Sequence, residues 1–169
     1  MSDTLITVVA IVVAATLIFF VPLMTTADKF NDVSKAEVES IVTDFVNEIR
    51  TTGKITQEDY NKFKENLAAT GYTFGVDMEV KKMDEKPGKK TLQTAKDKIG
   101  ENVYYSEYTT QIEKELEDNG VYSLSKGDIV KVDVRNTSKT FSQQLKQFAY
   151  KITGNDEATI VATAGGTIQ

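Results

Sequence analysis

The sequence predicts an α+β fold: a long N-terminal helix followed by a small head with a three- to four-stranded, mainly antiparallel sheet and short helices. Three observations predict it. A charge-free apolar run fills Leu5 to Met24, apolar residues then recur at three- and four-residue steps from Phe30 to Ile49, and later segments switch between strand and helix periodicity at glycines. The expected division is residues 1–27 as an apolar helix, 28–53 as an amphipathic stem and 54–169 as the head.

The first segment reads LITVVAIVVAATLIFFVPLM, with two threonines as its only polar side chains. About 20 residues at about 1.5 Å each span about 30 Å, the thickness of a bilayer's hydrocarbon core. Leu5, Ile6, Val8, Val9, Ile11, Val12, Val13, Leu17, Ile18, Phe19, Phe20, Val21 and Leu23 give it an apolar surface on every side. A cleavable signal is the first alternative, with Thr25-Thr26-Ala27 as a small-residue cut site, but it calls for a basic head and an apolar stretch of about 7 to 15 residues. A helix buried in a soluble core is the second, and would be unusually long and apolar all round. Ala10 and Ala14 stand four apart with Ala15 beside them, a pattern that lets a second helix approach closely. Pro22 removes one backbone hydrogen bond and crowds the preceding turn, which predicts a kink or local melting.

The stem face is Phe30, Val33, Val38, Ile41, Val42, Phe45 and Ile49. Ser34 to Glu37 forms a capping box if the helix restarts there, and Gly53 is its stop. This half is expected to be a core helix of the head, in addition to any role in assembly.

In the head, a helix is expected from Thr56, its N-cap, to Ala69, with Tyr60, Phe63 and Leu67 inward and Gly71 at its end. Tyr72, Phe74, Val76, Met78 and Val80 alternate with polar residues or glycine as a strand. Asp84 to Lys98 is a lysine-rich loop around Pro87-Gly88, and Val103 to Tyr105 a brief strand. Ser106 is expected to cap a helix carrying Tyr108, Ile112 and Leu116, closed by Gly120. Val121–Leu124 and Ile129–Val134 read as a hairpin around Ser125 to Asp128. A helix from Lys139 to Thr153, with Phe141, Leu145, Phe148, Ala149 and Ile152 inward and Gly154 closing it, precedes a strand from Ala158 to Ala164 and a small-residue tail.

Chemistry is sparse. With no cysteine and no histidine, disulfides, thiolate metal sites and imidazole bases are excluded, and no cofactor or small-molecule substrate is expected. A net charge of -5 argues against a nucleic-acid surface, and the lysines at 81, 82, 86, 89 and 90 are interrupted by Asp84 and Glu85. Glu113, Glu115, Glu117 and Asp118 read as a solvated helix face, and Asn136-Thr137-Ser138 as a chance match to a glycosylation acceptor. Of Tyr104, Tyr105 and Tyr108, two are expected in the core and one at its rim.

An apolar run with Pro22, continued by the amphipathic segment Phe30 to Ile49 and a small α+β head, resembles the pilin-like proteins of bacterial type IV and tight-adherence systems, including minor pilins and conjugation-associated relatives. The resemblance implies a non-enzymatic subunit, held in the bacterial membrane by a single pass with its head outside. It further implies assembly with copies of itself or related pilins into an extracellular filament with the helix in the core. Two features depart from the family pattern. No basic leader precedes the run, and Leu5 stands where members carry a glutamate, leaving Asp3 as the candidate N-terminal carboxylate. Taken literally, Lys29 and Lys35 after the span place the head in the cytoplasm instead. A monomeric anchored binding module and a cytoplasm-facing regulator are therefore the alternative expectations.

Overall fold

The computed structural model describes residues 2–84, 104–150 and 160–169. Helix α1 (Ser2–Thr52) runs unbroken for 51 residues, about 76 Å at about 1.5 Å per residue. Ser34 starts no new helix, and helical turns continue on both sides of Pro22 without melting. The proline ring removes a single donor, and the neighbouring turns keep their own bonds. α1 stops at Gly53, whose φ of 67° is a left-handed conformation that a side chain would resist. Its N–H donates to the Ile49 carbonyl at 2.8 Å.

Strand β1 (Lys54–Thr56) was not foreseen in the sequence; it leads into α2 (Gln57–Ala69). The expected N-cap is present as a capping box: the Thr56 hydroxyl accepts the Asp59 N–H at 3.1 Å and the Asp59 carboxylate accepts the Thr56 N–H at 3.3 Å. Strand β2 (Phe74–Met83) carries the expected alternation and continues through Lys81 and Lys82, which belong to the sheet and not to the lysine-rich loop. Most of that loop, together with Val103, lies outside the described residues.

Four expectations need correction. Ser106 caps no helix: it lies within β3 (Tyr104–Tyr108), and α3 (Thr109–Asn119) begins only after Tyr108. Pairing with β2 holds Ser106 extended opposite Lys81. The hairpin is also absent, because β4 (Val121–Ser123) pairs with β1 while β5 (Ile129–Asn136) pairs with β2. The buried Asp128 carboxylate accepts the Ser125 N–H at 2.8 Å and the Met83 N–H at 3.0 Å, turning the chain from one sheet into the other. The last strand, β6 (Val161–Thr167), takes in Gly165, Gly166 and Thr167, which were expected in the tail. Both glycines fit close approaches: a Cβ on Gly165 would sit 2.9 Å from the Val130 carbonyl oxygen of β5, and one on Gly166 would meet the Arg50 side chain of α1. Finally, Phe141 does not point inward from α4 (Phe141–Tyr150), as explained below.

The larger sheet has the order β3-β2-β5-β6, antiparallel throughout. α1 lies along β6 and β5. Ala162, Ala164 and Gly166 keep that face low, and a Cβ on Gly166 would sit 2.5 Å from Arg50 Nε. Val38, Val42, Phe45, Val46 and Ile49 of α1 complete the core with Met78, Val80, Val130, Val132 and Val134 of the sheet. On its far side α1 meets α2, where Phe45 and Phe63 stack at 4.1 Å. The opposite sheet face is wet and ionic: Lys131 reaches Asp133 at 2.6 Å, Arg135 pairs with Asp77, and Ser106 donates to Glu79 at 2.8 Å.

Candidate functional site

The apolar half of α1 has no part in the head. Its most apolar 18-residue window has a mean hydropathy of 2.8 and buries nothing against the rest of the chain. This helix is long and apolar enough to cross a membrane. Leu5, Ile6, Val8, Val9, Ile11, Val12, Val13, Leu17, Ile18, Phe19, Val21 and Leu23 are all exposed, as are Ala10, Ala14 and Ala15. Its two threonines are already satisfied: Thr7 donates to the Asp3 carbonyl and Thr16 to the Val12 carbonyl, both at 2.8 Å. A hydroxyl bonded back to its own helix can enter hydrocarbon without an unpaired donor. Thr25 and Thr26 repeat the device against Val21 and Pro22 at 3.0 and 2.9 Å. Asp3 is exposed near the outer end of the helix.

The stem face divides. Val38, Val42, Phe45 and Ile49 are fully inside the head and Ile41 packs against that core, but Phe30 and Val33 remain 61% and 65% exposed. Rotation explains the exposure of Val33. The buried stripe starts at Ala27 and Asn31, and at about 100° per residue Val33 lies about 120° away from Ala27. Asn31 is a polar residue on the inner face, so the apolar periodicity of the stem does not reveal it.

Asn31 belongs to a polar clamp that docks α4 on α1 just beyond the apolar half. Its amide donates to Thr140 Oγ1 at 3.1 Å. Three residues earlier, the Asp28 carboxylate accepts the Lys146 ammonium at 2.8 Å and the Ser142 hydroxyl. Lys146 first, and Ser142 second, hold the Asp28 carboxyl below the usual aspartate range. Thr140 is also the N-cap of α4: its hydroxyl accepts the Gln143 N–H at 3.3 Å, and Gln143 Oε1 accepts the Thr140 N–H at 2.8 Å. This Thr-x-x-Gln capping box is legible in the sequence and sets the phase of the helix. Thr140 and Ser142 consequently face α1 and are buried, Leu145 is partly buried, and Phe141 is turned out. The side chains of Phe148 and Ala149, and residues Ile152 and Gly154, lie outside those described.

Other sequence candidates resolve as follows. Tyr104, Tyr105 and Tyr108 are all exposed, at 42%, 47% and 57%; among the described residues β3 has one neighbouring strand, β2, and holds none of these rings in the core. Glu113 is not merely solvated, since it accepts the Tyr60 hydroxyl at 2.7 Å and ties α3 to α2. Burial, and then Glu113, push the Tyr60 hydroxyl pKa up. Asn136 is buried with its amide donating to the Ser138 carbonyl at 2.7 Å and accepting the Ile160 N–H at 2.9 Å, so it is committed to holding β6. An open groove of about 390 Å³ runs past Lys82, Tyr105, Ser123 and Asp128, and its buried carboxylate is the structural one already described. Among the described residues, no group of three acidic side chains is placed to hold a metal. No protein-family model, curated protein or solved structure matches this chain.

Proposed function

We propose that the chain is a non-enzymatic, pilin-like subunit, anchored in the membrane by Leu5 to Met24 and assembling into an extracellular filament with that helix in its core. One observation carries the reading: a single unbroken helix whose first half is apolar on every side and has no buried residue in its most apolar window, while its second half is built into the head. Each such side chain is worth about 1.5–3 kcal/mol when removed from water. The first half therefore needs lipid or copies of itself, and both environments are dry. The polar clamp at Asp28 and Asn31 supports the same reading, since it holds the head to the helix at the point where the apolar half emerges.

The test is a sheared surface fraction viewed by negative-stain microscopy. Val13→Asp or Ala14→Asp places a charge mid-span at a cost of about 2.5–3.5 kcal/mol and is expected to abolish filaments while the head keeps its fold. If the same substitution only released protein from membranes and intact chain never formed fibres, the monomeric anchored module would replace this reading. Digestion by protease on intact cells distinguishes an external head from a cytoplasm-facing regulator.

A further inference from the structure

Among the described residues, the larger sheet ends on β6 at one side and β3 at the other. Hydrogen bonds at the strand ends fix what each edge presents. The Asn136 N–H donates to the Ile160 carbonyl at 3.0 Å and the Ile168 N–H to the Asp128 carbonyl at 2.9 Å. Antiparallel pairs alternate, so Ala162, Ala164 and Gly166 bond to β5, and Val161, Thr163 and Gly165 turn their N–H and C=O groups outward. Likewise, the Thr137 N–H reaches the Thr73 carbonyl at 2.8 Å and the Met78 N–H reaches Thr109 Oγ1 at 2.7 Å. With that phase Tyr105 and Glu107 bond to β2, leaving the backbone of Tyr104 and Ser106 facing outward. The Tyr108 N–H also points out and is taken by Gln111 Oε1 at 2.9 Å.

Among the described residues neither edge has a partner strand. β6 carries no charge and no proline, the usual protections of an edge. β3 carries exposed tyrosines, side chains enriched where proteins meet.

Strand direction identifies the occupant. β6 starts beside Asn136, whose loop leads to Thr140 on Asn31, and it ends where Arg50 Nε donates to the Thr167 carbonyl at 3.2 Å. β6 therefore runs in the same sense as α1. Pairing β6 with its own counterpart about a two-fold axis would point the two apolar helices in opposite directions. β3 runs opposite to β6, so a copy shifted sideways without rotation brings β3 antiparallel to β6 and keeps every α1 parallel.

We infer that copies of this chain associate by strand addition, β6 of one against β3 of the next, in a continuous antiparallel sheet. The inference rests on the proposed reading only in requiring the anchors to share one direction. The register that matches all three outward residues of each strand sets Thr163 opposite Ser106, Gly165 opposite Tyr104 and Val161 opposite Tyr108, all on the wet face. A tyrosine ring then covers a glycine, two hydroxyls meet, and a β-branched residue faces an aromatic one. Four strands at about 4.8 Å set successive α1 helices about 19 Å apart in a flat array. The helices reach packing distance of about 8–10 Å only where the sheet curls with α1 inside.

The natural sequence has no cysteine, so Thr163→Cys combined with Ser106→Cys gives a clean probe. Within one chain these positions lie on strands three spacings apart, so they are separated by at least about 14 Å, beyond the roughly 7 Å limit for a disulfide. Full-length protein in native membranes, treated with a mild oxidant, is expected to form a ladder of dimers, trimers and larger species, and neither single variant should. With the pair moved to Val161→Cys and Tyr108→Cys, adding Thr163→Pro removes an outward donor and should weaken the ladder about twofold to tenfold. Circular dichroism of that variant should not change. A dimer from Thr163→Cys alone would mean two-fold pairing and overturn the inference. Filaments without a ladder would overturn it while leaving the filament reading standing, and a ladder in chains that never form filaments would do the reverse.

Discussion

Asp28 sits about half exposed where α1 leaves its apolar half, and its carboxylate holds both Lys146 and Ser142 of α4. Because its folded pKa lies below the ordinary aspartate value, the stability it contributes is complete above about pH 4 and disappears as pH falls through the depressed value. Solvent screening keeps that contribution within about 1 kcal/mol. Protection of the α4 amides from hydrogen exchange in detergent-solubilised protein, taken relative to their intrinsic rates at each pH, should therefore fall as pH drops below the ordinary aspartate value, and Asp28→Asn should already show the lower protection at pH 6. An α4 that exchanges identically in both proteins would show that Asn31 and Thr140 alone carry the clamp. Asp28 and Lys146 were plain in the sequence as charges; their meeting across 118 positions was not.

Among the elements, β6 depends most on what lies over it. A side chain at residue 166 would meet the end of Arg50, which α1 delivers to that spot, where its guanidinium bonds the Thr167 carbonyl and, at 3.2 Å, Asn47 Oδ1. Gly166→Ala should push Arg50 off those partners and cost about 1–3 kcal/mol in chemical denaturation. Adding Arg50→Ala should recover part of the loss as a coupling of about 0.5 kcal/mol or more. Additive costs would mean that the glycine serves the strand backbone and not the helix contact. The sequence named these glycines as a tail because a Gly-Gly pair has poor strand propensity, and packing by α1 overrides that preference.

At the scale of the whole molecule, a helix of 51 residues joins two environments, one apolar and uncovered and the other a packed core. Membranes washed with alkaline carbonate should retain the full-length chain, with an intact mass that includes Leu5 to Met24. Release into the wash, or a mass lacking that segment, would favour the cleaved signal. The head owes its arrangement to long-range closure: β1 from the end of α1 finds β4, and the buried Asp128 sends the chain on into the larger sheet.

Sequence alone determined the apolar helix, the caps at Thr56, Gly53 and Gly120, the alternating strand β2 and the α+β class, because each rests on residues within a few positions of one another. Tertiary structure decided that β4 pairs with β1 and not β5, that α4 turns Phe141 out, that three tyrosines line an edge, and that Phe30 and Val33 miss the core. Those outcomes depend on which distant surfaces meet, and no local pattern encodes the rotation or partner that satisfies the most backbone and buries the most apolar area.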